Sequence, residues 1–344
     1  MSQSYGPWIW LDGEWVPWER ATIHVSAHGL HYGSSVFEGI RAYEVPGGNA
    51  IFRLRDHIRR FHDSATLARI DLGEHSIERL EAACVETVAR NHEGACYLRP
   101  VAFRGAGGLG VDGRACPTQV AVLTLEWGAY LGAEALEQGV DAMVSSWRRI
   151  QSGVNSPLGK IGGQYVNNQM VSMEARDRGF AEGIVLDGQG MVSEGGGENL
   201  FLVRDGAVLT PPISGSILAG ITRDTVLTLI RDLAPELGLE VRECAMPRDL
   251  LYLADEMFMT GTAAEITPVR SVDGVAIGSG RRGPVTARLQ EAFFDVVSGR
   301  TRDPHRWLTP VPRRSSGPET SQPDSTNPAP MANDHQPRPM LVGA

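Results

Sequence analysis

Lysine is almost missing. Of 32 basic residues in the 344-residue chain, one is lysine, Lys160, and the others are arginine; a chain this long would ordinarily carry on the order of twenty lysines. Arginine replaces lysine as a solvated charge, but guanidinium does not deprotonate at accessible pH and cannot act as a nucleophilic amine. Position 160 is therefore where amine chemistry is expected, against the plain alternative that one lysine survived by chance. Long apolar runs are also missing: none approaches 18 residues, so no segment is expected to span a bilayer. There is no excess of positive charge either. A net charge of −9 and a pI near 5.5 argue against nucleic acid or an anionic membrane as partner, since both require a basic face. No cation precedes Arg20 and no long apolar stretch follows Met1, so a secretory signal is not expected. The four cysteines show no C-x-x-C spacing, which gives no zinc site and fits reduced thiols in a cytoplasmic protein.

What is present reads as an ordinary globular protein, 42% apolar and 21% charged, with length for roughly two domains. Residues 309–344 hold 8 of the 21 prolines and few bulky apolar side chains. They are expected to form a disordered tail, because such a segment buries too little apolar surface to offset its ordering entropy. Its charges cancel, so the −9 belongs to the body. Four Asp-Gly pairs, at 12, 187, 205 and 273, sit between apolar or alternating residues and predict type I′ hairpins. Helical spacing predicts helices over 56–70, 76–91 behind a Ser76 cap, 165–178, 222–233 and 284–297. Hairpins mixed with separate helices indicate an α+β fold. The expected division is a small N-terminal α/β domain at 1–128, a linker at 129–140 and a larger domain at 141–308.

Gly105-x-Gly107-Gly108-x-Gly110 matches G-x-G-x-x-G after a strand-like YLRPVAFR. A dinucleotide site needs a helix to begin there. VDGRACPTQ follows instead, with a proline and no helical period, so a loop near a ligand or a partner subunit is the better reading. Lys160 lies in SPLGKIGGQYVNNQM, where surrounding glycines remove bulk from one side of an amine able to form a Schiff base. GSILAGITRDTV sets Gly220, Ile221 and Thr222 at a helix start, and MTGTAAEITP sets Thr260, Gly261, Thr262 and Ala263 after a strand. Amides at helix N-termini, with a threonine hydroxyl, bind anions, although threonine is also a routine cap. In SEGGGENLF, Glu194 is either a solvated turn carboxylate or one held against a protonated ring nitrogen. An amine, two anion cradles and a glycine-flanked carboxylate converge on pyridoxal 5′-phosphate (PLP).

HYGSSVFEGIRAY (31–43), HDSATLARI (62–70), YLRP (97–100), WGAYLGAEALEQGVDAMVSSW (127–147), SEGGGENLF (193–201), LAGITRD (218–224) and LYLADEMFMTGTAAEITPVRSVDG (251–274) follow one another in a single order. From about Trp8 to Trp307 the chain thus resembles the bacterial branched-chain amino acid aminotransferases of fold type IV. The resemblance implies two α/β domains, the larger with a barrel-like sheet. It implies that Lys160 carries the cofactor aldehyde as a Schiff base and then moves the proton between Cα and C4′. Glu194 would pair with the pyridine nitrogen and Tyr165 with the phenolic oxygen. Arg60, Ile221, Thr222 and Thr262, in the Gly220 and Gly261 cradles, would hold the phosphate, and Leu218 would pack on the ring. Phe37, Tyr97, Trp127, Tyr130 and Thr260 would wall the substrate side chain. The Thr262 and Ala263 amides, helped by Tyr97, would hold the α-carboxylate. Arg99 would accept the side-chain carboxylate of glutamate, and Tyr32 and Val111 would come from a neighbouring subunit of a homodimer or larger homo-oligomer. The implied reaction exchanges the amino group of leucine, isoleucine or valine with 2-oxoglutarate.

Two stretches depart from the family pattern: LGKIGGQY, where many relatives have alanine before the lysine, and GVDGRACPT. A D-amino acid aminotransferase or an aminodeoxychorismate lyase would share the lysine and the cofactor. Tyr97-x-Arg99 with HYGSSVFEGIR favours the branched-chain enzyme. A cofactor-free Schiff-base aldolase would leave the two cradles and Glu194 without a purpose, and a scaffold protein would show no turnover.

Overall fold

The computed structural model describes residues 4–92, 94–126 and 134–313. Among these, eight strands form a first sheet: β1 (Trp8–Leu11), β2 (Glu14–Pro17), β3 (Ser35–Phe37), β4 (Ile40–Val45), β5 (Gly48–Phe52), β6 (Cys96–Arg104), β7 (Thr118–Leu125) and, from the far end of the chain, a closing strand at Leu308–Val311. Nine form a second, curled sheet: β8 (Val140–Arg148), β9 (Glu182–Leu186), β10 (Val192–Gly195), β11 (Asn199–Arg204), β12 (Ala207–Thr210), β13 (Glu240–Glu243), β14 (Glu256–Gly261), β15 (Glu265–Val272) and β16 (Val275–Ala276). The closing strand is then β17. Helices α1 (His28–Tyr32), α2 (Leu54–Leu67) and α3 (Ile77–Asn91) accompany the first sheet. Four more lie beyond it in sequence: α4 (Ala135–Gln138), α5 (Tyr165–Asp177), α6 (Ile221–Leu237) and α7 (Pro284–Val297).

Local chemistry accounts for the boundaries. Ser76 caps α3 by accepting from the Arg79 amide, Pro284 opens α7, and α6 ends on left-handed Gly238. Asp12-Gly13, Asp205-Gly206 and Asp273-Gly274 all have positive φ, as two-residue hairpin turns require. Asp187-Gly188 does not. That hairpin closes over a longer loop in which Gly190 takes the positive φ and Asp187 Oδ1 accepts from the Gln189 and Met191 amides.

Strands β11 and β14 are buried on both faces, and period-two alternation sorts their side chains between two cores. Leu200, Leu202, Met257 and Met259 enter one core. Phe201, Val203 and Phe258 enter the other, against Val226 and Ile230 of α6 and Leu289 and Phe293 of α7. Phe52 and Trp307 join this second core. The first sheet has its own core, centred on Ile58 and Phe61 of α2 and on Leu80 and Val88 of α3. Side chains of this size, fully buried, each contribute roughly 1.5–3 kcal/mol.

Contacts gather residues up to Arg313 into one compact unit. The segment expected as a linker lies outside the described residues up to Ala133, then forms α4 and enters β8 at Val140. Thr309, Pro310 and Val311, expected to begin the tail, instead extend β17 antiparallel to β5. An edge strand tolerates Pro310, because the missing N–H is not needed for a second neighbour. Residues from 314 onward lie outside the described residues. No described helix is long and apolar enough to cross a membrane.

Candidate active site

Five chain turns meet at one cleft. They are the β3–β4 turn, the loop carrying Lys160, the β10–β11 turn, the loop 218–220 into α6, and the β14–β15 turn. Asn199 pairs with Thr260 across β11 and β14, which sets the Gly195–Gly197 turn beside the Gly261–Ala263 turn.

Lys160 Nζ donates to Tyr165 Oη at 2.5 Å and lies 4.7 Å from the ring centres of both Phe37 and Tyr165. Its backbone is fixed by the buried Ser64 hydroxyl, which accepts from the Lys160 amide at 2.9 Å, and by Phe37, whose amide donates to the Lys160 carbonyl. The neighbouring glycines serve close packing of two backbones. The Gly163 amide donates to Gly33 O, and a Cβ on Gly162 would fall 2.2 Å from Ser35 Oγ.

Both oxygens of the Glu194 carboxylate have partners. Oε1 meets Arg149 Nη2 at 2.6 Å, while Oε2 accepts from the Leu218 amide at 2.9 Å and from Asn199 Nδ2 at 3.4 Å. Burial pushes this carboxyl upward, opposed by Arg149, the Leu218 amide and Lys160 in that order. Glycines 195 and 196 make room for carboxyls rather than for a ring, since added Cβ atoms would fall 2.8 Å from Glu198 Oε2 and 2.5 Å from Glu182 Oε1. Gly197 faces open space. Burial, and then the nearby Glu182, drives Glu198 well above the usual carboxyl range.

Of the residues expected from sequence, Arg60, Tyr97, Lys160, Tyr165, Glu194, Leu218, Gly220, Ile221, Thr222, Thr260, Gly261, Thr262 and Ala263 all line the cleft. Phe37 stands edge-on to Tyr165, and the Arg99 guanidinium lies 4.8 Å from the Phe37 ring centre. Tyr32 and Val111 are elsewhere, 46% and 82% exposed. Trp127 and Tyr130 lie outside the described residues. The two cradles differ in kind: Thr260 and Gly261 end β14, as expected after a strand, and the amides beyond them belong to a hairpin turn into β15. The G-x-G-x-x-G segment leads into a single 3-10 turn and then β7, with no helix at its end.

Sequence reasoning missed Gly39, Asn168, Gly197, Glu198 and Asn199, which also line the cleft. It missed as well Arg149, Glu38 and His57 behind it. Asn168 follows Tyr165 by three residues on α5, a spacing that could have flagged it. A Cβ at Gly39 would sit 1.8 Å from Tyr97 Oη, so that glycine is what lets the tyrosine reach the cleft.

A phosphorylated pyridine aldehyde suits these residues. Gly220 precedes α6 with no side-chain cap bond, leaving the first-turn amides for an anion. Arg60 uses Nε and Nη2 on Glu38 and Nη1 on Ala219 O, so further N–H groups remain. The Thr260 hydroxyl is buried without a hydrogen-bond partner among the described residues, as expected of a group awaiting a ligand.

The family model for class IV amino-transferases matches residues 35–272, and the chain belongs to that family; its substrates are accordingly amino and oxo acids. Over 312 residues it is 51% identical to the branched-chain-amino-acid aminotransferase of Escherichia coli strain K12, covering 90% of this chain and 99% of that protein. The crystal structure of the Escherichia coli branched-chain enzyme superposes with a TM-score of 0.85 at 51% identity, over 89% of this chain and 100% of that one. The branched-chain amino acid aminotransferase from Thermobaculum terrenum in its PLP form gives 0.83 at 36% identity, over 90% and 100%. The fold is therefore fold type IV.

Proposed function

We propose that this chain transfers the amino group of leucine, isoleucine or valine to 2-oxoglutarate, with PLP as cofactor, yielding branched-chain 2-oxo acids and L-glutamate. The observation that carries the reading is the lone lysine, its amine 2.5 Å from the Tyr165 hydroxyl, in a cleft shared with Glu194 and the α6 N-terminus. Relatives of similar length and about half-identical sequence support it. They bear the branched-chain name, which disfavours the D-amino acid aminotransferase and the lyase.

When bound, PLP supplies an electron sink for negative charge at the substrate α-carbon. Lys160 would provide the amine and move the proton between Cα and C4′; the Tyr165 hydroxyl positions that amine and would bond the phenolic oxygen. Arg60, the amides of Ile221 and Thr222, and Thr262 would hold the phosphate, and Leu218 would pack on the ring. Glu194 would pair with the pyridine nitrogen. Phe37, Tyr97 and Thr260, with Trp127 and Tyr130, wall the substrate, and the Thr262 and Ala263 amides hold its α-carboxylate. One pocket must accept both an apolar chain and a carboxylate, hence apolar walls plus one arginine, Arg99.

A second copy of the chain donates Tyr32 and Val111. Both are exposed, and Tyr32, at the end of α1, is tied to the loop of Val111 by its Oη donating to Leu109 O at 2.7 Å. Mixing the PLP-loaded protein with L-leucine and 2-oxoglutarate tests the proposal: glutamate should accumulate with 4-methyl-2-oxopentanoate. Turnover of D-alanine and none of L-leucine would overturn it.

A further inference from the structure

Arg149 does not line the cleft, yet it is the cation in contact with Glu194. It follows the last residue of β8, is 6% exposed, and is anchored by its own amide donating to Leu186 O at 2.9 Å. Nη2 reaches Glu194 Oε1 at 2.6 Å, and Nη1 donates to Asn168 Oδ1 at 3.0 Å. Asn168 in turn donates to Gly196 O, so the guanidinium is oriented from α5 and from the glycine turn at once.

We propose that Arg149 is a positioning residue that decides where the proton sits between Glu194 and the cofactor's ring nitrogen. The inference rests on the PLP reading above and deepens it. One proton is shared across that contact. A buried carboxylate with no counter-charge takes the proton itself, because desolvation penalises the ionised form. Arg149 sets a charge against Oε1, leaving Glu194 ionised and the proton on the pyridine nitrogen, the state in which the ring withdraws electrons best. The other charged groups near Glu194 act less strongly. Lys160 ranks behind Arg149 and the Leu218 amide, and burial drives Glu198 well above the usual carboxyl range, which favours its neutral form.

The test loads purified protein with PLP labelled with 15N in the ring and reads the nitrogen chemical shift and the cofactor dissociation constant. Wild type should give a protonated-pyridine shift. Arg149→Met should move the signal toward unprotonated pyridine and weaken PLP binding roughly tenfold, the equivalent of about one pKa unit. Arg149→Lys, which keeps the charge, should hold the wild-type shift. Glu194→Gln and the double variant R149M/E194Q complete the cycle. With no carboxylate to govern, removing Arg149 should change neither the shift nor the affinity further. A wild-type shift in R149M, or a further change in R149M/E194Q beyond E194Q, overturns the proposal. Should R149M not fold, the last two variants carry the test, because removing both partners of a buried pair leaves no stranded charge. Failure of the wild type to bind PLP would instead sink the PLP reading itself.

Discussion

Arg60 grips Glu38 at two points, Nε to Oε1 at 2.7 Å and Nη2 to Oε2 at 2.8 Å, around a carboxylate with no exposed surface. His57 Nδ1 supplies a third contact at 2.8 Å. Because Arg60 also donates to Ala219 O, the grip ties α2 to the loop that leads into α6. Replacing Glu38 with Ala strands a buried guanidinium, and the expected loss is roughly 3–5 kcal/mol. Glu38→Gln, which can still accept from Arg60, should lose less. Urea denaturation of the three proteins checks this, and an unchanged midpoint in E38A would refute it.

Acid should destabilise the protein in two steps of the same sign. Burial lowers His57 below its ordinary value near 6.5, so it is neutral in the fold and protonates more readily in the unfolded chain. Stability is therefore complete above about pH 6.5 and falls below it. Glu38 is held far below the usual 4.5 by Arg60 and His57, against the cost of its burial. Its contribution is complete above that value and drains away as pH falls through the folded one. One proton gives a slope of at most about 1.4 kcal/mol per pH unit. His57→Gln should flatten the decline between pH 6.5 and 5 by up to that amount, as read by urea midpoints across the range. His62, His75 and His92, also lowered by burial, keep the rest of the slope.

Borohydride treatment of the PLP-loaded protein should label one side-chain lysine, in the peptide containing Lys160, since the chain has no other. Lys160→Arg should remove the label and slow transamination by at least the roughly 10²–10⁴-fold typical of a lost proton-transfer group. Peptide mass mapping and glutamate formation measure the two effects. Normal turnover in K160R would refute the amine assignment.

Arg99 lies 4.8 Å from the Phe37 ring centre and 5.5 Å from that of Tyr97, with its Nε buried and lacking a hydrogen-bond partner among the described residues. Arg99→Met should spare leucine while cutting kcat/KM for glutamate and 2-oxoglutarate by about 10–100-fold, the scale of a charge-assisted hydrogen bond of roughly 1.5–3 kcal/mol. Half-reaction kinetics with each amino acid separate the outcomes. An equal loss for both would show that Arg99 supports the pocket without selecting the carboxylate.

Much of this protein was open to reading along the chain because the deciding forces are local. Ser76 and Pro284 mark helix starts, and three of four Asp-Gly pairs mark two-residue turns, through conformational preferences that need no distant partner. The lone lysine pointed to amine chemistry because no other side chain in the composition could replace it. The Asp187-Gly188 pair does not make a two-residue turn, because Asp187 Oδ1 accepts from the Gln189 and Met191 amides and the positive φ falls on Gly190. Glu38, His57, Asn199 and Arg149 had no local signature at all. Their importance arises when Arg60 reaches Ala219 and Arg149 reaches Glu194, and when strand pairing brings Asn199 opposite Thr260. Short-range propensity selects helices and turns one segment at a time. A buried charge, by contrast, acquires its partner and its protonation state only from residues that packing brings to it.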